Sequence, residues 1–154
     1  MKTTKISIDL EDEKATAALG SRLAALLRAG DVVRLSGDLG AGKSTLARGA
    51  IAALTGTKDA PSPTFTFVET YEAQNLTLWH FDLYRLEQPG DVWELGLEEA
   101  LEDGAVLIEW PERIEGVLGD EGLVIRLDIA GAARRAQIHA DSAWKDRLSK
   151  AGIA

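Results

Sequence analysis

Apolar positions along this chain switch between a two-residue period and a three-to-four-residue period, and each switch predicts an element. Ile6 to Leu10 alternates as a short strand does. From Glu11 to Arg28 the residues Ala15, Leu19, Leu23, Leu26 and Leu27 fall on one helical face, and Gly30 is the expected stop. Asp31 to Ser36 (DVVRLS) reads as a strand. After a glycine-rich turn, Lys43 to Leu54 reads as a helix with Leu46, Ala47, Ala50, Ile51 and Leu54 inward and Gly56 as its end. A proline-bounded loop, Ala60 to Thr64, leads into two β-rich runs, FTFVETY and LTLWHFD, whose separation by Glu72 to Asn75 predicts a hairpin. Asp91 to Asp103 reads as one or two short helices broken near Gly96. Ala105 to Glu109 (AVLIE) is apolar and β-branched enough for a buried strand. A second hairpin is expected from Leu123 to Ile129 and Arg135 to Ala140, followed by a terminal helix from Ser142 to Lys150 capped by its serine. No repeat or linker divides these elements, so residues 1–154 read as one domain with its core at about 6–144 and a frayed tail at 149–154.

Composition narrows the class. With 154 residues, 45% hydrophobic and 27% charged, the chain can bury one core. The 25 acidic residues outnumber 17 basic ones, giving a formal charge of −8, which opposes a face that grips nucleic acid unaided. Any contact with nucleic acid is expected to pass through a partner. The absence of cysteine excludes disulfides, thiolate nucleophiles and Cys-rich zinc sites. The start, MKTTKISIDLEDE, has no apolar leader segment, and no run approaches the roughly 18 to 20 apolar residues of a membrane span. A soluble, cytoplasmic protein is expected.

The glycine-rich turn, GDLGAGKST, meets the phosphate-loop (Walker A) pattern G-x-x-x-x-G-K-[ST] through Gly37, Gly42, Lys43 and Ser44. Glycines let the backbone of Gly37, Asp38, Gly40, Ala41 and Gly42 approach an anion closely and turn successive N–H groups toward it. The helix that follows, through Lys43, Ser44 and Thr45, points its positive end at the same place. Lys43 supplies a charge for the β and γ phosphates, and the Ser44 hydroxyl suits Mg²⁺. The predicted strand before the turn and helix after it separate this pattern from an incidental glycine-rich connector. They point to an α/β, P-loop NTPase-like three-layer fold with a mixed sheet and antiparallel hairpins.

Phosphate chemistry needs carboxylates for metal and water, and α/β sheets collect ligands at the carboxyl ends of their strands. Two runs end in this way, LTLWHFD at Asp82 and AVLIE at Glu109. Glu109 is the better candidate because its strand reads as buried on both faces. Their division of labour is left open. Thr64 and Ser62, in APSPT, are candidates to reach metal or phosphate, against the alternative of a rigid proline turn. His80 reads as a packed strand residue rather than a base or ligand, since His139 is the only other histidine. Trp79, Trp93, Trp110 and Trp144 read as core or partner-contact residues. The Asn-Lys-x-Asp element with which many GTPases read guanine is missing, because the sole asparagine, Asn75, precedes leucine. ATP is therefore the expected nucleotide.

Taken in order, GDLGAGKST, SPTFTFVETY, HFDLYRL and IEWPERI resemble the bacterial TsaE (YjeE) family, the P-loop ATPase of the tRNA threonylcarbamoyladenosine (t6A) system, and the likeness runs from about Glu11 to Ala140. The family usually has threonine where this chain has Ser44. The resemblance implies binding of ATP and Mg²⁺, and hydrolysis that is slow alone and faster with the TsaB–TsaD pair. There TsaD transfers a threonylcarbamoyl group to adenosine 37 of tRNA, and hydrolysis resets the complex between turnovers. By position it implies that Lys43 and Ser44 are the phosphate lysine and metal hydroxyl, Thr64 a switch-like threonine, Asp82 the aspartate of the H-x-D-x-Y-R block, and Glu109 the metal-linked glutamate before tryptophan. Thr16 and Arg134 are then expected to flank the base and ribose.

An arginine at the transition state contributes about 10³ to 10⁵ in rate, and partners often supply it. Within the chain Arg85 is a candidate, whereas Arg48 reads as a helix-surface residue. Slow turnover of the isolated protein follows if a partner completes the site. Two alternatives stand beside this one: a small-molecule P-loop kinase, for which the hairpins leave little sequence for lid and acceptor pocket, and a nucleotide-dependent regulatory module with incidental hydrolysis.

Overall fold

The computed structural model describes residues 4–119 and 122–153. Among these residues seven strands form one sheet: β1 (Thr4–Leu10), β2 (Val32–Gly37), β3 (Val68–Glu72), β4 (Thr77–Asp82), β5 (Gly104–Glu109), β6 (Leu123–Ala130) and β7 (Ala133–Ala140), in the order β1-β7-β6-β2-β5-β4-β3. The central β6, β2, β5 and β4 run parallel. Both predicted hairpins are present and extend the sheet antiparallel: β3 pairs with β4 on one side, and β7 pairs with β6 and then β1 on the other.

The α-helices among the described residues are α1 (Glu13–Ala24), α2 (Lys43–Thr55), α3 (Leu97–Asp103) and α4 (Ser142–Lys150). Side chains of β5 alternate between two cores, as a strand buried on both faces requires. Ala105 and Leu107 join α1, α2 and α4 on one face, while Val106 and Ile108 join α3 and its neighbouring turns on the other. This is the expected three-layer arrangement. Helices α1 and α2 approach so closely that a β-carbon on Gly20 would lie 2.0 Å from the Leu46 carbonyl oxygen, and one on Gly49 2.1 Å from that of Ala17. Backbone contact at this range fixes α2, and with it the loop at its start. Among the described residues no helix is long and apolar enough to cross a membrane.

Some expectations need correction. The first helix begins after an Asp12 cap, whose Oδ1 accepts from the Ala15 N–H at 2.8 Å, and it ends at Ala24; Leu26 and Leu27 continue the apolar period in a turn. Phe65 to Phe67 form a turn instead of strand, closed by the Phe67 N–H on the Pro63 carbonyl at 2.6 Å. The cap of α4 is Asp141, which accepts from the Trp144 N–H at 2.9 Å, and Ser142 is already helical. The tail does not fray through residue 153: the Ile153 N–H donates to Leu148 at 2.9 Å and its side chain is 7% exposed in the main core. Ala154 lies outside the described residues.

Candidate functional site

The loop from Gly37 to Gly42 leaves the carboxyl end of β2 and runs straight into α2. Gly42 stands just before the helix at φ +108°, a conformation that strains any residue with a β-carbon. No side chain caps α2, so its first N–H groups remain directed at the hollow of the loop. Lys43 is 5% exposed and folds back over that hollow. Its Nζ donates to the carbonyls of Gly37 at 2.5 Å and Asp38 at 3.0 Å, and lies 4.0 Å from the centre of the Trp110 ring. Burial lowers the Lys43 pKa below its ordinary value, against the opposing pull of Glu109, Glu112, Asp82 and Asp38. An anion with full charge binds such an ammonium more strongly than neutral carbonyls do.

Two carboxylates meet the loop from neighbouring strands. Register sets Asp82, last in β4, opposite Glu109, last in β5. Both are buried. Ser44 Oγ donates to Glu109 Oε1 at 3.0 Å, and His80 Nε2 lies 2.6 Å from Glu109 Oε2. Asp82 is engaged differently. Its Oδ2 accepts from Thr64 Oγ1 at 2.9 Å and Ser62 Oγ at 3.1 Å, and its Oδ1 from the Tyr84 N–H at 3.1 Å. The proline loop is thereby tied to the end of β4. Apart from the buried His80, these groups line one open cleft of about 320 Å³ with Gly40, Gly42 and Thr45.

A second hollow of about 270 Å³ lies on the other side of the loop, bordered by Gly40, Gly42 and Thr45 together with Thr16 from α1 and Arg134 from β7. Arg134 Nη2 donates to the Gly40 carbonyl at 3.3 Å. Thr16 and Arg134, far apart in sequence, are thus brought together beside the loop. Asp38 contributes through its backbone, since its carbonyl accepts from Lys43 Nζ and the Ala41 N–H. The Ala41 side chain packs into the main core, leaving only its peptide group to face a ligand.

Among the described residues no three His, Asp or Glu side chains converge to hold a metal by themselves. The donors present, one hydroxyl and two carboxylates, fit a hard divalent cation whose remaining ligands are water and phosphate oxygens. Two arginine expectations change. Arg85 stacks over the Phe65 ring at 4.9 Å and belongs to a different hollow, so it does not line the cleft. Arg48, expected on the helix surface, lines the cleft and donates Nε to the Ala60 carbonyl at 3.1 Å. Its position four residues after Ser44 on α2 is the signal that would have found it. His80 is packed as expected, but its bond to Glu109 is an addition. Trp144 is a core residue, whereas Trp110 and Tyr84 pack together at 4.9 Å at the cleft wall.

The family described as "Threonylcarbamoyl adenosine biosynthesis protein TsaE" matches residues 10–137. The tRNA threonylcarbamoyladenosine biosynthesis protein TsaE of Rickettsia felis is 40% identical over 127 residues, covering 82% of this chain and 74% of its own. That of Bacillus subtilis is 40% identical over 130 residues, covering 84% and 79%. The crystal structure of Bacillus subtilis YdiB superposes with a TM-score of 0.80 at 30% identity, covering 97% of this chain and 95% of that one. With a match across most of its length, the glycine-rich loop and the strands that end on Asp82 and Glu109 included, this chain belongs to the TsaE family of threonylcarbamoyl adenosine biosynthesis proteins.

Proposed function

We propose that the cleft binds ATP with Mg²⁺ and hydrolyses it, slowly in the isolated protein and faster with the TsaB–TsaD pair, and that hydrolysis resets that pair between rounds of t6A formation in the cytoplasm. The observation that carries this reading is the convergence of Lys43, Ser44, Asp82 and Glu109 at the carboxyl ends of three adjacent parallel strands. Peptide N–H groups of the loop and the Lys43 ammonium hold the phosphates. Ser44 and Glu109, already 3.0 Å apart, are the pair placed to hold the metal, with Asp82 beside them. Bound Mg²⁺ supplies charge neutralisation at the transferring phosphoryl group. Asp82 also anchors Ser62 and Thr64, so the proline loop follows the state of the site. Thr16 and Arg134 border the space proposed for base and ribose.

Partner stimulation is supported by the arginines. Arg85 points elsewhere, and the Nε of Arg48 is committed to the Ala60 carbonyl. The formal net charge of −8 favours protein partners over direct tRNA contact. The test is a Glu109→Gln chain added to TsaB, TsaD and tRNA. It is expected to bind ATP but to allow about one round of t6A formation per complex, because the resetting hydrolysis is lost. Repeated rounds at the wild-type rate contradict the hydrolytic cycle and favour a regulatory module in which ATP binding suffices.

A further inference from the structure

His80 is 1% exposed and sits two residues before Asp82, on the same face of β4. Register places Leu107 opposite it and Glu109 opposite Asp82, so the imidazole reaches diagonally to the Glu109 carboxylate. The two oxygens of Glu109 then have separate partners: Ser44 at Oε1 and His80 at Oε2. Carboxylate oxygens only accept, so the bonding proton belongs to His80 Nε2. A neutral ring protonated there has only a lone pair at Nδ1, and that buried atom has no hydrogen-bond partner among the described residues. A residue kept for packing alone has no need of this arrangement, since a bare buried polar atom carries a desolvation cost that an apolar ring avoids. The bond at Nε2 offsets that cost.

We propose that His80 is a positioning residue, fixing the rotation of the Glu109 carboxylate so that Oε1 stays turned to Ser44 and to the divalent cation proposed for that pair. The inference rests on the metal-holding role given to Glu109 above. A Ser44 oxygen engaged by a cation leaves His80 as the remaining side-chain donor to Glu109 among the described contacts. Outer partners of this kind typically change metal affinity or activity about 10- to 100-fold when removed.

The first readout needs neither metal nor nucleotide: imidazole ¹H–¹⁵N spectra of the full chain. One histidine is expected to show a protected, downfield proton on Nε2 that moves upfield in Glu109→Gln. A spectrum without such a proton, or one indifferent to Glu109→Gln, overturns the inference. The second readout titrates Mn²⁺ into the full chain loaded with a non-hydrolysable ATP analogue. His80→Phe, and equally His80→Asn, whose amide falls short of Glu109, are expected to raise the half-saturating Mn²⁺ concentration about 10- to 100-fold while analogue affinity in chelator stays within about twofold. His80→Gln, whose amide can occupy the Nε2 position, restores most of the loss. Folded variants that all match wild type, or a Gln variant as impaired as Phe and Asn, overturn the positioning role. Failure of the wild-type chain to bind the analogue overturns the ATP reading and this role with it. Normal wild-type metal binding that is indifferent to His80 overturns this role alone.

Discussion

Lys43→Ala is expected to weaken ATP binding by about 10- to 100-fold, since charge-assisted hydrogen bonds contribute about 1.5–3 kcal/mol each and 1.4 kcal/mol is a factor of ten. Calorimetric titration of the nucleotide measures this. The same variant is expected to melt no lower than wild type. Burial lowers the Lys43 pKa, so the charged amine opposes folding at neutral pH, and that penalty is relieved only as pH rises through the lowered value toward 10.5. Removing the amine removes the penalty. A stable chain that no longer holds ATP thus separates the ligand's requirement from the fold's. Wild-type affinity in the variant means the ammonium does not meet the phosphates; a strongly lowered melting temperature means its bonds to Gly37 and Asp38 serve structure first.

Glu109→Ala is expected to reduce hydrolysis by at least about 100-fold with a much smaller change in ATP affinity, because metal-assisted charge neutralisation contributes several kcal/mol to the reaction. The phosphates retain the loop and Lys43, so binding survives. Asp82→Ala is expected to show the same split, with an added effect on the loop. Loss of Oδ2 releases Ser62 and Thr64, and loss of Oδ1 releases the Tyr84 N–H. Protease cleavage near residues 60–67 should therefore accelerate in Asp82→Ala and stay at the wild-type rate in Glu109→Ala. Steady-state kinetics with a binding titration decide the first claim, and timed proteolysis the second. Normal hydrolysis in both variants places metal and water elsewhere.

The glycine-rich turn was legible in the sequence because four of the eight positions in its pattern, Gly37, Gly42, Lys43 and Ser44, are restricted in residue type, and because β2 and α2 announce themselves by opposite periodicities. The end of β5 was legible only in company: a lone carboxylate at a strand end is usually a solvated turn residue, but two such ends, Asp82 and Glu109, beside the glycine-rich turn favour a site, and the β5 run reads as buried on both faces. Boundaries were less so. Leu26 and Leu27 keep packing after α1 has ended, so the apolar period outlasts the helix. Phe65 to Phe67 have strand-forming side chains, yet the Pro63 carbonyl captures the Phe67 N–H, and Phe67 takes φ +69°. Asp141 and Ser142 are both good caps, and one sequence cannot decide between them. The His80–Glu109 bond was illegible for a deeper reason. It depends on the register of β4 against β5, which no local pattern states. The Lys43–Trp110 contact likewise depends on a loop after β5 in which Trp110 takes φ +60°.

The proposed cycle requires ATP hydrolysis in this cleft and a response of that hydrolysis to partners. The most direct measurement is phosphate release by the purified protein with ATP and Mg²⁺, alone and with TsaB plus TsaD, using Lys43→Ala as the blank. A slow basal rate that rises with the pair and vanishes in the blank is the predicted result. Fast hydrolysis indifferent to the pair contradicts the partner-completed site, and no hydrolysis under either condition despite tight ATP binding contradicts the ATPase.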